Sequence, residues 1–132
     1  MGGNNAKAEN KPDNFISTLE EYSEQMSKLL DMLKKESTHV LVVEGGYYDE
    51  TKTNPKPNPL TGGKSYFSNK RMQRFQKKLK DLCRERSIVF IEMETTEQEW
   101  KQKHLYIDGL HPNQAGHEHI SQKVLKEIKK FI

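Results

Sequence analysis

Apolar residues recur at three- and four-residue steps through Phe15, Ile16, Leu19, Tyr22, Met26, Leu29, Leu30 and Leu33. One face of an α-helix has this spacing, so the pattern predicts an amphipathic helix over 14–36, with Asp13 and Asn14 as candidate caps. Its Met and aromatic stripe reads as ordinary core. Val40-Leu41-Val42-Val43 is β-branched without alternation and predicts a strand buried on both faces, as in a parallel sheet. Gly45-Gly46 ends it. Three Pro and two Gly between 49 and 65 predict a long loop. A second helix is expected over 68–87, capped by Ser68, with Met72, Phe75, Leu79, Leu82 and Cys83 on its apolar face. Ile88–Ile91 reads as a second buried strand, 95–103 as a short helix and Tyr106–Pro112 as a loop. A last helix over 113–131 would bury Ile120, Val124, Ile128 and Phe131. Residues 1–12 read as a loop.

Alternating helices and strands imply an α/β fold with a parallel sheet. Two strands are too few for such a sheet, so residues 1–132 are expected to be a single, incomplete domain. Its partner would be a missing N-terminal segment or a second copy of itself.

Composition narrows the classes. Apolar residues make up 33% of the 132, and the 8 Gly add about 6%, against roughly 45–50% in globular domains. The core is therefore thin. The net charge is +3, from 22 basic and 19 acidic residues interspersed, and the Lys-rich stretch 123–130 is broken by Glu127. That reads as a solvated helix face rather than a nucleic-acid surface. No apolar stretch is long enough for a membrane span. The polar N-terminus is not a signal peptide. The single cysteine, Cys83, sits at a core-like helical position and favours a reducing compartment, while localisation stays open.

Asp108 and His111 stand three apart in D-G-L-H-P. A carboxylate can accept the imidazole Nδ1–H, fix the tautomer and leave Nε2 free to take a proton from a nucleophile. Gly109 permits the tight turn, and Pro112 keeps His111 out of helical dihedrals. On spacing alone, the alternative is a loop Asp and His that only satisfy backbone groups. Asn4 could donate to an oxyanion, or belong to a plain polar terminus. His117 and His119 point to different sides of a helix, and with His104 and His111 they lack a zinc-like spacing.

The stretch Tyr106-Ile-Asp-Gly-Leu-His-Pro-Asn-Gln-Ala-Gly-His117 resembles the last conserved block of SGNH/GDSL hydrolases, whose D-x-x-H completes a Ser-His-Asp triad. Gly2-Gly3-Asn4-Asn5 resembles the family's G-x-N-D block, with Asn5 where the family has Asp. The resemblance implies His111 as general base, Asp108 as its orienter and Asn4 as an oxyanion-hole donor. It implies a partial flavodoxin-like, three-layer parallel sheet lacking its first strands. It also implies an ester hydrolase that acts on an acyl ester (lipid, acetylated sugar or short-chain ester) and needs no metal or organic cofactor. The family's G-D-S block has no counterpart: none of Ser17, Ser23, Ser27, Ser37, Ser65, Ser68, Ser87 and Ser121 follows Gly-Asp. The chain thus resembles the C-terminal half to two-thirds of such an enzyme. A catalytically inert remnant or interaction module of the same fold is the alternative. Specificity is expected in the 47–66 loop, where Tyr47, Tyr48 and Tyr66 could line a pocket or cover core.

Overall fold

In the computed structural model, which describes residues 2–131, the first long helix begins at Leu19 rather than at 14. Thr18 decides this. Its hydroxyl accepts the Glu21 amide, and the Glu21 carboxylate accepts the Thr18 amide, so the two side chains satisfy two otherwise unpaired helix donors. Phe15 and Ile16 lie outside the helix and are half exposed, which corrects their expected place on its buried stripe.

The elements run α1 (Gly3–Ala6), β1 (Ala8–Glu9), α2 (Leu19–Glu36), β2 (Leu41–Val43), α3 (Glu50–Thr53), β3 (Lys56–Pro57), β4 (Lys64–Tyr66), α4 (Asn69–Glu85), β5 (Val89–Ile91), α5 (Glu97–Gln102) and α6 (Gln114–Ile128). β2 and β5 pair in parallel, with Leu41 opposite Val89 and Val43 opposite Ile91. Successive strand side chains point to opposite faces, and here each face meets its own core. Val40, Val42, Ile88 and Phe90 pack with α2 and α4, around Tyr22, Leu30, Phe75, Leu79 and Cys83. Leu41, Val43, Val89 and Ile91 pack with Trp100 of α5 and Ile120 and Val124 of α6. The result is three layers, helix on sheet on helix, as the family resemblance implies, with both faces of the strands covered as the unalternated apolar runs predict. Among the described residues, the other edge of β2 has no strand partner.

The long loop expected over 49–65 holds more structure than its Pro and Gly suggest. β3 and β4 form an antiparallel hairpin, and β1 adds to β4 with Ala8 opposite Tyr66. This small sheet ties the N-terminal segment to the loop that follows β2. Such strands are set by their pairing partners, not by local propensity. The last helix also differs from expectation. It ends at Ile128, and Phe131 beyond it is 41% exposed, its ring 4.8 Å from that of His39.

Candidate active site

The segment between Leu105 and α6 is shaped by one residue, Asn113. Its Oδ1 accepts the Gly116 amide at 2.9 Å and caps α6, while its Nδ2 donates to the His104 carbonyl. Gly116 is required at that point: a Cβ there would stand 2.2 Å from the Leu105 carbonyl oxygen. The loop is closed further up by the Ile107 amide, which donates to the His111 carbonyl at 2.9 Å. At its apex Gly109 has φ +82°, a conformation that L side chains rarely adopt. The Gly109 carbonyl accepts the Asp49 amide at 2.8 Å, fastening this loop to the one leaving β2.

This geometry turns Asp108 and His111 toward one another. Asp108 Oδ1 accepts the amides of Leu110 at 3.0 Å and His111 at 2.8 Å. Asp108 Oδ2 lies 2.9 Å from His111 Nδ1. A third group, Lys56 Nζ on β3, reaches the same Oδ2 at 3.0 Å. Burial is the largest single influence on the Asp108 carboxyl and disfavours its charge. The hydrogen bonds from the His111 amide and ring, from Lys56 and from the Leu110 amide together outweigh it and hold the carboxyl well below the usual carboxylate range. An ionised carboxylate only accepts, so Nδ1 must carry the hydrogen, and Nε2 is the basic nitrogen when the ring is neutral.

His111 is largely exposed and lines a cavity of about 600 Å³. Asn4, on α1, lines the same cavity from the other side, as do Gly45 and Gly46 after β2. The rest of the wall is mainly apolar, including Met26, Val43, Phe67, Met72, Trp100 and Ile120. Tyr47 and Tyr48 line it; Tyr66 instead sits in the small sheet against Ala8. Of the three sequence-derived site residues, His111 and Asn4 thus line one cavity, while Asp108 reaches it only through its contact with His111. No serine lines it. Ser65 is buried within β4.

The remaining histidines stand elsewhere: His119 meets the Trp100 ring edge-on at 5.8 Å, and His39 lies against Phe131. Among the described residues, no three or more His, Cys, Asp or Glu are grouped as metal ligands. Cys83 is fully buried, and that burial pushes its thiol up, with Arg86 opposing. Lys56 is the residue that sequence reasoning missed. It lies 52 positions from Asp108, and its sole local mark is a place between two prolines in Pro55-Lys56-Pro57.

Three solved structures are similar to the chain. The lipase/acylhydrolase from Enterococcus faecalis has TM-score 0.72 at 18% identity, with 98% of this chain and 58% of that one covered. LAE5, an α/β hydrolase enzyme from the metagenome of Lake Arreo, Spain, has TM-score 0.59 at 17% identity, covering 83% of this chain and 46% of that one. The esterase domain of the ORF1 protein from the zebrafish ZfL2-1 retrotransposon has TM-score 0.61 at 18% identity, covering 87% and 61%. At these identities the likeness is one of fold, and this chain spans about half to three-fifths of each of those lengths. None of the curated proteins matches. The family model described as GDSL-like Lipase/Acylhydrolase matches residues 1–119, nine-tenths of the sequence, and the chain belongs to that family.

Proposed function

We propose that the cavity is the acid–base half of an ester hydrolase site, in which His111 is the general base, Asp108 its orienter and Asn4 an oxyanion donor. The observation that carries this reading is the 2.9 Å approach of His111 Nδ1 to Asp108 Oδ2 on the wall of a cavity that Asn4 shares. Nε2 takes the proton of a serine hydroxyl as its oxygen attacks the acyl carbon. The Asn4 amide hydrogen-bonds the oxyanion of the tetrahedral intermediate. The imidazolium then protonates the departing alcohol, leaving an acyl-serine. Nε2 next takes a proton from water as the water attacks the acyl carbon, and returns it to the serine oxygen as the acid leaves. The serine comes from a segment outside this sequence, which completes residues 1–132 as one domain. The apolar walls suit an acyl chain or a short ester.

A second reading, an inert interaction module of the same fold, draws on the absence of serine from the cavity wall. Loss of the nucleophile in a triad enzyme costs on the order of 10⁶ in turnover.

Two measurements separate them. A fluorophosphonate probe should leave every serine of the isolated chain unlabelled. Co-expressed with the polypeptide encoded immediately upstream, the chain should hydrolyse a short-chain aryl ester, and His111→Ala should abolish that activity. Specific labelling of one of this chain's own serines, or hydrolysis indifferent to His111→Ala, would overturn the proposal.

A further inference from the structure

We infer that Lys56 is a positioning residue for the His111–Asp108 pair, clamping the Asp108 carboxylate from the side opposite its own loop. The catalytic meaning of this rests on the hydrolase reading; the clamp itself does not.

The Asp108 oxygens are divided between two tasks. Oδ1 is held by two amides of the loop, Leu110 and His111. Oδ2, the oxygen that meets the imidazole, takes one further partner among the described residues, Lys56 Nζ at 3.0 Å. Without Lys56, Oδ2 would be steered by the imidazole alone, the group it is meant to steer. Lys56 reaches it from a rigid base. Prolines on both sides fix the backbone of β3. Lys56 pairs with Ser65, which is buried, and Ser65 in turn pairs with Glu9 of β1. The Lys56 side chain is about three-quarters buried and that of Asp108 about two-thirds, so the pair is less screened than a surface ion pair.

The other charges around Asp108 are engaged elsewhere. Asp49 and Lys52, which pack beneath Gly109, pair with each other at 3.8 Å. Lys101 of α5 acts on Asp49. Lys56 is therefore the cation that faces Asp108. It has a chemical consequence for the pair. With neutral imidazole, Lys56 and Asp108 cancel in charge. When His111 accepts a proton, the Asp108 carboxylate stands between two cations, Lys56 and the imidazolium.

Carboxyl ¹³C NMR of the chain, from pH 7 downward, tests this without any ester. In Lys56→Gln the Asp108 midpoint should rise by on the order of half a pH unit, while Lys56→Arg should follow the wild-type curve. Superposable wild-type and Lys56→Gln curves would overturn the inference. Should Lys56→Gln lose its dispersed amide spectrum, the wild-type chain decides. A scalar coupling through the hydrogen bond from Lys56 Nζ to the Asp108 carboxyl carbon supports the clamp, and its absence overturns it. A shifted midpoint with no hydrolysis in the co-expressed complex sinks the hydrolase reading and leaves Lys56 in place. Hydrolysis with an unmoved midpoint does the opposite.

Discussion

The helices α4 and α6 flank the same two-stranded sheet, yet they bury it very differently. α4 puts Met72, Phe75, Leu79, Leu82 and Cys83 almost wholly out of solvent against α2 and β5. α6 fully buries only Gly116; Ile120, Val124 and Ile128 are half-buried and Leu125 is 54% exposed. Both are amphipathic. The difference lies in what stands opposite. α2 packs beside α4 on its side of the sheet, whereas α6 has the short α5 beside it and borders the cavity. One layer is built for stability. The other leaves space and holds the candidate chemistry at its edge, where local stability is lower.

Substitutions should separate the two layers. Phe75→Ala, in the well-packed layer, should cost about 3–5 kcal/mol in chemical denaturation, enough to unfold a marginal domain. Gly109→Ala should cost about 2 kcal/mol, because the positive φ is strained with a Cβ and that atom would stand 3.0 Å from Lys52 Cβ. Its larger signature should be local: broadened amide resonances from 106 to 112 over an unchanged α2–α4 layer. Ile120→Ala should cost about 1 kcal/mol, since a half-buried side chain loses less transfer free energy and opens onto existing space. A cost equal to that of Phe75→Ala would erase the distinction between the layers.

The smallest effect is that of Asp108→Asn, less than about 1 kcal/mol at neutral pH, because the amide oxygen of asparagine can still accept the Leu110 and His111 amides. Its pH dependence has a definite sign. The folded carboxyl is depressed relative to the unfolded chain, so its contribution is complete above the ordinary carboxylate pKa, near 4, and fades as the pH falls toward the lower folded value. The stability gap between wild type and Asp108→Asn should therefore be constant from pH 7 to 5 and narrow below 4. A gap that widens in acid would contradict the hydrogen-bond pattern.

Periodicity and β-branched runs sufficed for the alternation of helices with parallel strands, because α4 buries what its spacing says it buries and β2 and β5 are packed on both faces, Val42 and Ile91 fully and Leu41, Val43, Val89 and Phe90 in part. The Asp108–His111 pair was legible because both residues and their turn lie within five positions. Where reading along the chain fails, the cause is distance in sequence. Phe15 and Ile16 continue the helical spacing of α2, but the Thr18–Glu21 capping box starts the helix after them. The small sheet joins residues 8–9, 56–57 and 64–66, with Lys, Pro and Ser where strand formers are expected, so only tertiary pairing creates it. Lys56 was hidden for the same reason, since its partner is brought to it by that sheet.

Cys83 is the chain's one thiol, and it is sealed where α2 and α4 meet the sheet. A disulfide reagent can reach it only when that interface parts. Its modification rate in native buffer therefore clocks the breathing of the well-packed layer, without mutation or added dye. Motions confined to α5 and α6 leave that clock untouched.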